Sequence, residues 1–327
     1  QAVFVTRSVS PGGGDYEPIT PASVADYANI LGLDETQTEA AQMLLDGYRE
    51  SVREAQSARG KAMEQAQLEF EDTRDHEKLM EQMRESSKQF GDRTSDLESQ
   101  FFGDLKSLLM SEAQESKWSG VERARRRETQ IDRGPVSTAN VDVVRLVRDL
   151  SADLGISDEA QEILSQYELQ LDVLLTERAR AGESLNEARV GRFDPDSIEA
   201  MNKAIEEQRE VALKIRQLND SVIGQIAGSA LGSEDARARL EDAYERAKFP
   251  RIYRESYTTR ILTAAAEFGD LSAAQRDAIS SLRSQYDAQS VALNTRWANE
   301  LAKAEASGER SAGAFQVRFG GPQEEVS

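Results

Sequence analysis

The chain of 327 residues has no cysteine, one histidine and 7 prolines, and only 6% of it is aromatic. The missing cysteine excludes disulfides, thiolate metal sites and a thiol nucleophile, without identifying a compartment. A single histidine rules out a His-rich metal site and confines any Ser-His-Asp apparatus to its own surroundings. No run approaches the roughly 18 uninterrupted apolar residues that a membrane span needs. Positive charge is scarce as well: 40 basic residues face 59 acidic ones, for a formal charge of −19. Such a surface repels nucleic acid and anionic lipid, so neither is expected as a partner. What is abundant is Ala, Glu, Gln, Arg, Leu and Ser, a composition that suits long helices with thin apolar seams.

Patterning along the chain predicts helices almost throughout. Thr20-Pro21 offers an N-cap followed by proline at the first helical position, for a short helix to about Ile30. Asp34 caps a long helix in which Met43, Leu44, Tyr48 and Val52 keep the helical period, continuing without proline to about Phe90. Apolar positions are sparse over 55–90, so this stretch is expected to project from a core or pack in a thin bundle. A second helix is expected over Asp92–Leu109, and a third from Met110 through a basic run to Arg133, before the Gly134-Pro135 breaker.

The plan then restarts. Ser137-Thr138 is expected to cap a helix containing Val143, Val144 and Val147, and Leu154–Gln161 to open a longer one to about Arg189. Asp194 or Asp196 caps the next, to about Ala230, and Leu231–Asp235 opens another that ends at Phe249-Pro250. The last helices are expected over Tyr257–Phe268 and from Leu271 to about Ala306.

One start signal recurs: an apolar residue, a capping residue, two spacers and Gln. Its openers are Leu33, Met110, Ile156, Leu231 and Leu271, spaced 77, 46, 75 and 40 residues apart, long and short in alternation. This points to a module of about 120 residues used twice and then half-used, longer than the repeats of helical solenoids. The first and last signals share a tyrosine at one offset, Tyr48 and Tyr286. The third has Gln161 one place late and Tyr167 a helical turn early, and the fourth has Asp235 in place of Gln. The domain reading is a tail and hinge at 1–19, modules at 20–134 and 135–250, a half-module at 251–309, and a tail at 310–327.

The signal resembles the LTxxQ motif of the Spy/CpxP-like periplasmic proteins. The best copy is Leu271-Ser272-Ala273-Ala274-Gln275; Leu33-Asp34-Glu35-Thr36-Gln37 and Met110-Ser111-Glu112-Ala113-Gln114 are looser. The resemblance implies a small, all-helical, exported protein forming a curved dimer, with ATP-independent chaperone activity in some members and zinc binding in relatives. It covers roughly a quarter of this chain. The chain departs from it in being more than twice the usual length, in carrying Asp34 where Thr is usual, and in its terminal segments.

Candidate chemistry is thin. His76-Glu77 resembles the start of an HExxH zinc helix, but Met80 stands where the second histidine belongs. Gly12-Gly13-Gly14 lacks the Gly-Lys-Ser/Thr of a P-loop and reads as a hinge. Asp194, Asp196 and Glu199 lack the glycine and bidentate Glu of a calcium loop. No motif calls for a cofactor or metal. Trp118 and Trp297 are expected in the core. The densest positive charge, Arg123, Arg125, Arg126 and Arg127, reads as a helix face or internal salt-bridge partners, or as a surface docking acidic groups of another copy.

The tails are what a plain bundle does not need. In QAVFVTRSVS, Val3 and Val5 alternate with Phe4 and Thr6; near the other end Phe315, Val317 and Phe319 alternate with Gln316 and Arg318. Both are strand patterns, and a strand needs a partner, either the other tail or another copy. An initial Gln1 without Met is the form a chain takes after signal-peptide removal, which favours export over a trimmed form. The expectation is an all-α fold of long antiparallel helices in about two and a half duplicated modules with strand-like tails. The expected function is that of a non-enzymatic exported structural protein, periplasmic, surface or extracellular, which self-associates into oligomers or filaments. The alternative is a Spy/CpxP-like chaperone, with client proteins as partners.

Overall fold

A computed structural model describes residues 16–131, 136–151, 155, 157–190 and 195–308. The tail expectations for Val3, Phe4, Val5, Phe315, Val317 and Phe319, and the Gly134-Pro135 breaker, lie outside these residues. Among the described residues the protein is all-α, with no strand. No described helix is long and apolar enough to cross a membrane. The chain divides into two compact units, Gln1–Thr129 and Gln130–Ser327, and residues 251–309 fall within the second.

The first unit contains α1 (Pro21–Leu31), α2 (Glu35–Thr73), α3 (His76–Ser107), the single turn α4 (Glu112–Glu115) and α5 (Trp118–Gln130). Thr20 and Asp34 both form capping boxes, with Ser23 and Gln37 respectively. α2 and α3 are an antiparallel hairpin: Tyr48 meets Phe101, Arg59 lies over Phe90, and Glu69 pairs with Lys78 progressively nearer the turn. Their core is confined to one end. Ala41, Leu45, Tyr48 and Val52 of α2 pack with Leu97, Phe101, Phe102 and Leu105 of α3, under α1 (Val24, Tyr27, Leu31) and α5 (Trp118, Val121, Ala124). Toward the turn the hairpin is mostly exposed, as the sparse apolar pattern predicts.

The helix break differs from expectation. The chain reverses at Arg74-Asp75, not near Gly91, which lies inside α3. Arg74 is the one non-glycine residue with positive φ among those described (φ 56, ψ 23). Its N–H donates to Phe70 O at 2.8 Å, and Asp75 caps α3 by accepting from Lys78 N at 3.0 Å. Neither a glycine nor a proline marks this turn, so a pattern-based boundary slides past it. The helix expected from Met110 is also interrupted, α4 ending at Glu115 before α5 begins at Trp118.

The second unit contains a 3₁₀ turn at Ser137–Ala139, α6 (Val143–Asp149), α7 (Asp158–Val190), α8 (Pro195–Gln225) closed by a π-helical turn at Ile226–Ala230, α9 (Glu234–Lys248), α10 (Tyr257–Ala266) and α11 (Ala273–Ser307). Asp142, accepting from Arg145 N at 3.0 Å, caps α6 instead of Ser137 or Thr138. α7 and α8 run antiparallel, with Tyr167 meeting Asn219 and Glu177 meeting Lys214. Tyr167, Leu171 and Leu175 face Val211, Ala212, Ile215 and Val222, with α6 and α9 closing the core.

α10 and α11 form a smaller hairpin that touches the rest of the unit at one end. Phe249, Ile252 and Ala298 make a small separate cluster, and Glu305 accepts from Ser137 N at 3.0 Å. Arg216 of α8 donates to Ala302 O at 3.2 Å, and Arg209 donates to Ala306 O. Arg209 thereby satisfies a last-turn carbonyl of α11 that has no partner within the helix, and Arg216 adds a cation one turn earlier, near the negative end of the helix.

Glycine at position 74 removes the left-handed penalty, about 1–2 kcal/mol for a residue with a Cβ, against a smaller entropy cost in the unfolded chain. Arg74→Gly is therefore expected to raise the stability of the first unit by about 0.5–1 kcal/mol. Urea unfolding followed by circular dichroism measures it; a drop would show that the Arg74 guanidinium, 6.0 Å from the centre of the Phe70 ring, outweighs the backbone.

Candidate functional site

The recurring start signal has a structural explanation. In the first unit its first two copies meet. Gln37 Oε1 accepts from Asp34 N at 3.1 Å, closing the box at the start of α2, and also from Gln114 Nε2 at 2.9 Å. Gln37 Nε2 donates to Leu108 O at 2.6 Å and to Gln114 Oε1 at 3.3 Å. Gln114 answers in kind, accepting from Met110 N at 2.9 Å and donating to Gly32 O at 3.2 Å. Each amide thus caps its own segment, pairs with the other amide, and donates to a carbonyl five or six residues upstream of its mate. The two donors and two acceptor lone pairs of both side chains are all used. Gln37 is buried and Gln114 half-buried.

The other signals do less. Ser157 and Ser233 cap α7 and α9 through Ala160 N and Ala236 N, at 3.2 and 3.1 Å, with no glutamine clasp. Ser272 and Gln275 form a complete capping box at the start of α11, with Ser272 N donating to Gln275 Oε1 at 2.8 Å. Gln275 is exposed, and its Nε2 donates to no protein group among the described residues.

A second recurring device ties each long helix to the start of the short helix before it. Tyr48 OH accepts from Ile19 N at 3.4 Å, just ahead of α1, and bonds Tyr16 OH. Tyr286 OH bonds Oγ of Ser256, the cap of α10, at 2.9 Å. Tyr167, a turn early, does this through an intermediary. It donates to Asn219 Oδ1 at 2.7 Å, and Asn219 Nδ2 reaches Val141 O at 3.4 Å, just ahead of α6.

Of the arginine cluster, Arg125 and Arg127 are buried, and Arg123 and Arg126 half-buried. Arg125 makes a two-pronged contact with Glu98, both bonds 2.9 Å, donates to Glu17 O at 2.7 Å, and lies 3.3 Å from Glu128 Oε2. Tyr27 OH donates to the same Glu128 oxygen at 2.7 Å. Burial works against the Arg125 charge, but Glu98 more than offsets it and the guanidinium is held protonated. Burial pushes the Glu128 carboxyl up, against hydrogen bonds from Tyr27 and Arg125. Arg125 is thus an internal tie. The pattern held a sign of this, since Arg125 follows Val121 by one turn on the apolar side of α5. Its partner Glu98 is 27 residues away and carries no local signal. Arg178, a buried arginine that donates to Ile131 O at 3.1 Å and Asn140 Oδ1 at 2.9 Å, escaped the sequence reading for the same reason.

His76 is exposed at the start of α3, its ring 4.6 Å from that of Phe70. No group of three His, Asp or Glu residues suited to a metal ion occurs among the described residues. Trp118 is buried as expected, but Trp297 is 61% exposed. It belongs to the most distinctive surface of the protein. α11 buries only Ala298 and Glu305 along its 35 residues, and α10 only Leu262. Tyr257, Ile261 and Phe268 stand exposed at helical spacing on α10 and the residues after it, as do Leu282, Leu293 and Trp297 on α11. Compared with models of known protein families, with curated proteins and with solved structures, the chain finds no match.

Replacing Gln37 by Ala strands Asp34 N, Leu108 O and the Gln114 amide at a half-buried place. A loss of about 1–2 kcal/mol is expected, the lower part of the scale for unsatisfied polar groups because water reaches this place, read as a lower urea midpoint at unchanged slope. A change within experimental error would reduce the clasp to decoration. Burial is also the main cause that raises the Tyr16, Tyr27 and Tyr48 phenols above their ordinary value. Because the fold favours their neutral forms, this stability is intact below the unfolded tyrosine pKa of about 10 and is lost as pH rises beyond it. Each phenol costs about 1.4 kcal/mol per pH unit there. Denaturation midpoints should hold steady up to that pH and then fall, less steeply for Tyr27→Phe; equal slopes would remove Tyr27 from the account.

Proposed function

We propose that the protein is a non-enzymatic, exported structural subunit that associates with other copies of itself. The observation that carries this is the α10–α11 hairpin, on which Tyr257, Ile261, Phe268, Leu282, Leu293 and Trp297 stand 48–71% exposed at helical spacing. Contiguous apolar stripes in water mark interaction surfaces. The groups with displaced protonation and buried surroundings in the first unit, Tyr16, Tyr27, Tyr48, Arg125 and Glu128, hydrogen-bond one another or neighbouring backbone and so serve packing. That favours a structural over a catalytic role. Export rests on the resemblance of the start signals to the LTxxQ motif.

In this reading the chain is a duplicated module. Each copy has a short capped helix, a long helix whose tyrosine reaches back to it, and a long return helix, as in α1–α2–α3 and α6–α7–α8. The third copy, α10–α11, has no return helix among the described residues. The tyrosine links of Tyr48, Tyr167 and Tyr286 support the duplication. Strand exchange between tails 1–10 and 310–327 would extend paired subunits into filaments.

The exposed stripes also suit a chaperone that holds unfolded clients, and one comparison separates the readings. Sedimentation over a concentration series, with negative-stain microscopy, is expected to show reversible oligomers whose elongated forms vanish when residues 1–10 are deleted while helicity stays. A chain that stays monomeric throughout yet suppresses client aggregation would establish the chaperone instead.

A further inference from the structure

We infer that α10–α11 is a two-fold self-docking surface, in which the start signal Leu271–Gln275 of one copy clasps the same signal of a second copy. The inference rests on the self-association reading and names its interface. It comes from an arrangement the first unit already displays within one chain. Gln37 and Gln114 meet amide to amide, and each donates to a carbonyl upstream of the other: Leu108, six residues before Gln114, and Gly32, five before Gln37. That arrangement is close to two-fold symmetric, so one signal sequence is able to recognise itself.

Among the other signals, only the one at α11 forms a complete box with glutamine, and it has no mate. Gln275 Oε1 is engaged by Ser272 N just as Gln37 Oε1 is by Asp34 N, while Gln275 Nε2 is left to solvent. The spacing seen in the first unit carries Gln275 of each copy onto the carbonyl of Gly269 or Asp270 of the other. The charges agree with that register. Arg276 follows Gln275, and Asp270 precedes the signal; all three are exposed, and neither charged residue has an ion-pair partner among those described. A two-fold axis near Gln275 therefore sets each Arg276 beside the Asp270 of the other copy, on a protein whose net charge of −19 otherwise drives copies apart. The flanking apolar stripes (Tyr257, Ile261, Phe268; Leu282, Leu293, Trp297) supply the area that a pair of amides lacks.

A second copy is the occupant because it alone brings the complementary signal, the opposite charge at the right offset and an equal apolar stripe. An unfolded client would need none of the three.

The absence of cysteine makes the test direct. Ala274→Cys places the only thiol of the chain beside the axis and leaves Gln275 in place; Glu71→Cys, exposed near the α2–α3 turn, is the control. A short bifunctional maleimide is expected to link Ala274→Cys into covalent dimers and to leave Glu71→Cys monomeric. Adding Gln275→Ala or Trp297→Glu should weaken association at least tenfold in sedimentation, with unchanged helicity. A chain that associates while Ala274→Cys stays unlinked overturns this interface and leaves self-association standing, with the tails as its carriers. A chain that is monomeric at every concentration overturns both.

Discussion

The constraint on which the rest of the structure depends is that a long helix with a thin apolar seam must be covered by another. Host propensity alone leaves such a helix marginal in water, and its stability comes from the packed stripe. α2 finds that cover in α3, and α7 finds it in α8, in both cases antiparallel. The seams are narrow because aromatics make up only 6% of the chain. Tyr48 against Phe101, and Tyr167 with Leu171 and Leu175 against Ile215, therefore do most of the work over long spans. Where the seam thins further, toward Arg74, the hairpin continues on propensity and exposed ion pairs such as Glu69–Lys78, each worth little.

Thin apolar seams leave the register between helices weakly determined, and buried polar ties are placed where they decide it. The Gln37–Gln114 clasp works in only one alignment of α2 with the segment before α5, because four hydrogen bonds to each amide must form together. The two-pronged Arg125–Glu98 contact fixes α5 against α3 in the same way. Such a pair adds little net stability over an apolar substitute, since desolvation consumes most of the attraction. Its contribution here is to make misaligned packings costly. Asn219 plays that part in the second unit, joining Tyr167 to the backbone just ahead of α6.

Much of this was legible in the sequence, and what was missed has common causes. Capping residues at Thr20, Asp34, Ser157, Ser233 and Ser272 lie where the pattern placed them, because a cap is a local bond between residues three apart. The all-α class followed from composition and period. The reversal at Arg74 was missed since its left-handed backbone is held by the hairpin around it and not by its residue type. The partners of Arg125 and Arg178 were missed because long-range pairing leaves no mark at fixed spacing. Trp297 was placed in the core on the general habit of tryptophan, but α10 covers another side of α11 and leaves Trp297 exposed.

That last error carries the architectural lesson. In the two longer hairpins most of the periodic apolar residues are buried, with Met43 and Ile198 among the exposed exceptions. In α10–α11 the core placement of Trp297 fails, and Tyr257, Ile261, Phe268, Leu282 and Leu293 stand exposed with it. A scattered failure would mean ordinary surface apolar residues, which every protein has. Six such side chains on one short hairpin, beside a start signal with no mate among the described residues, are the feature on which the proposed self-association depends. The anchoring of α11 agrees with this. Arg209, Arg216 and the Glu305 contact hold its C-terminal end firmly, and the apolar length before it stands clear of its own unit. A hairpin pinned at one end is already ordered, so docking on its exposed side would lose less conformational entropy than folding a free segment would.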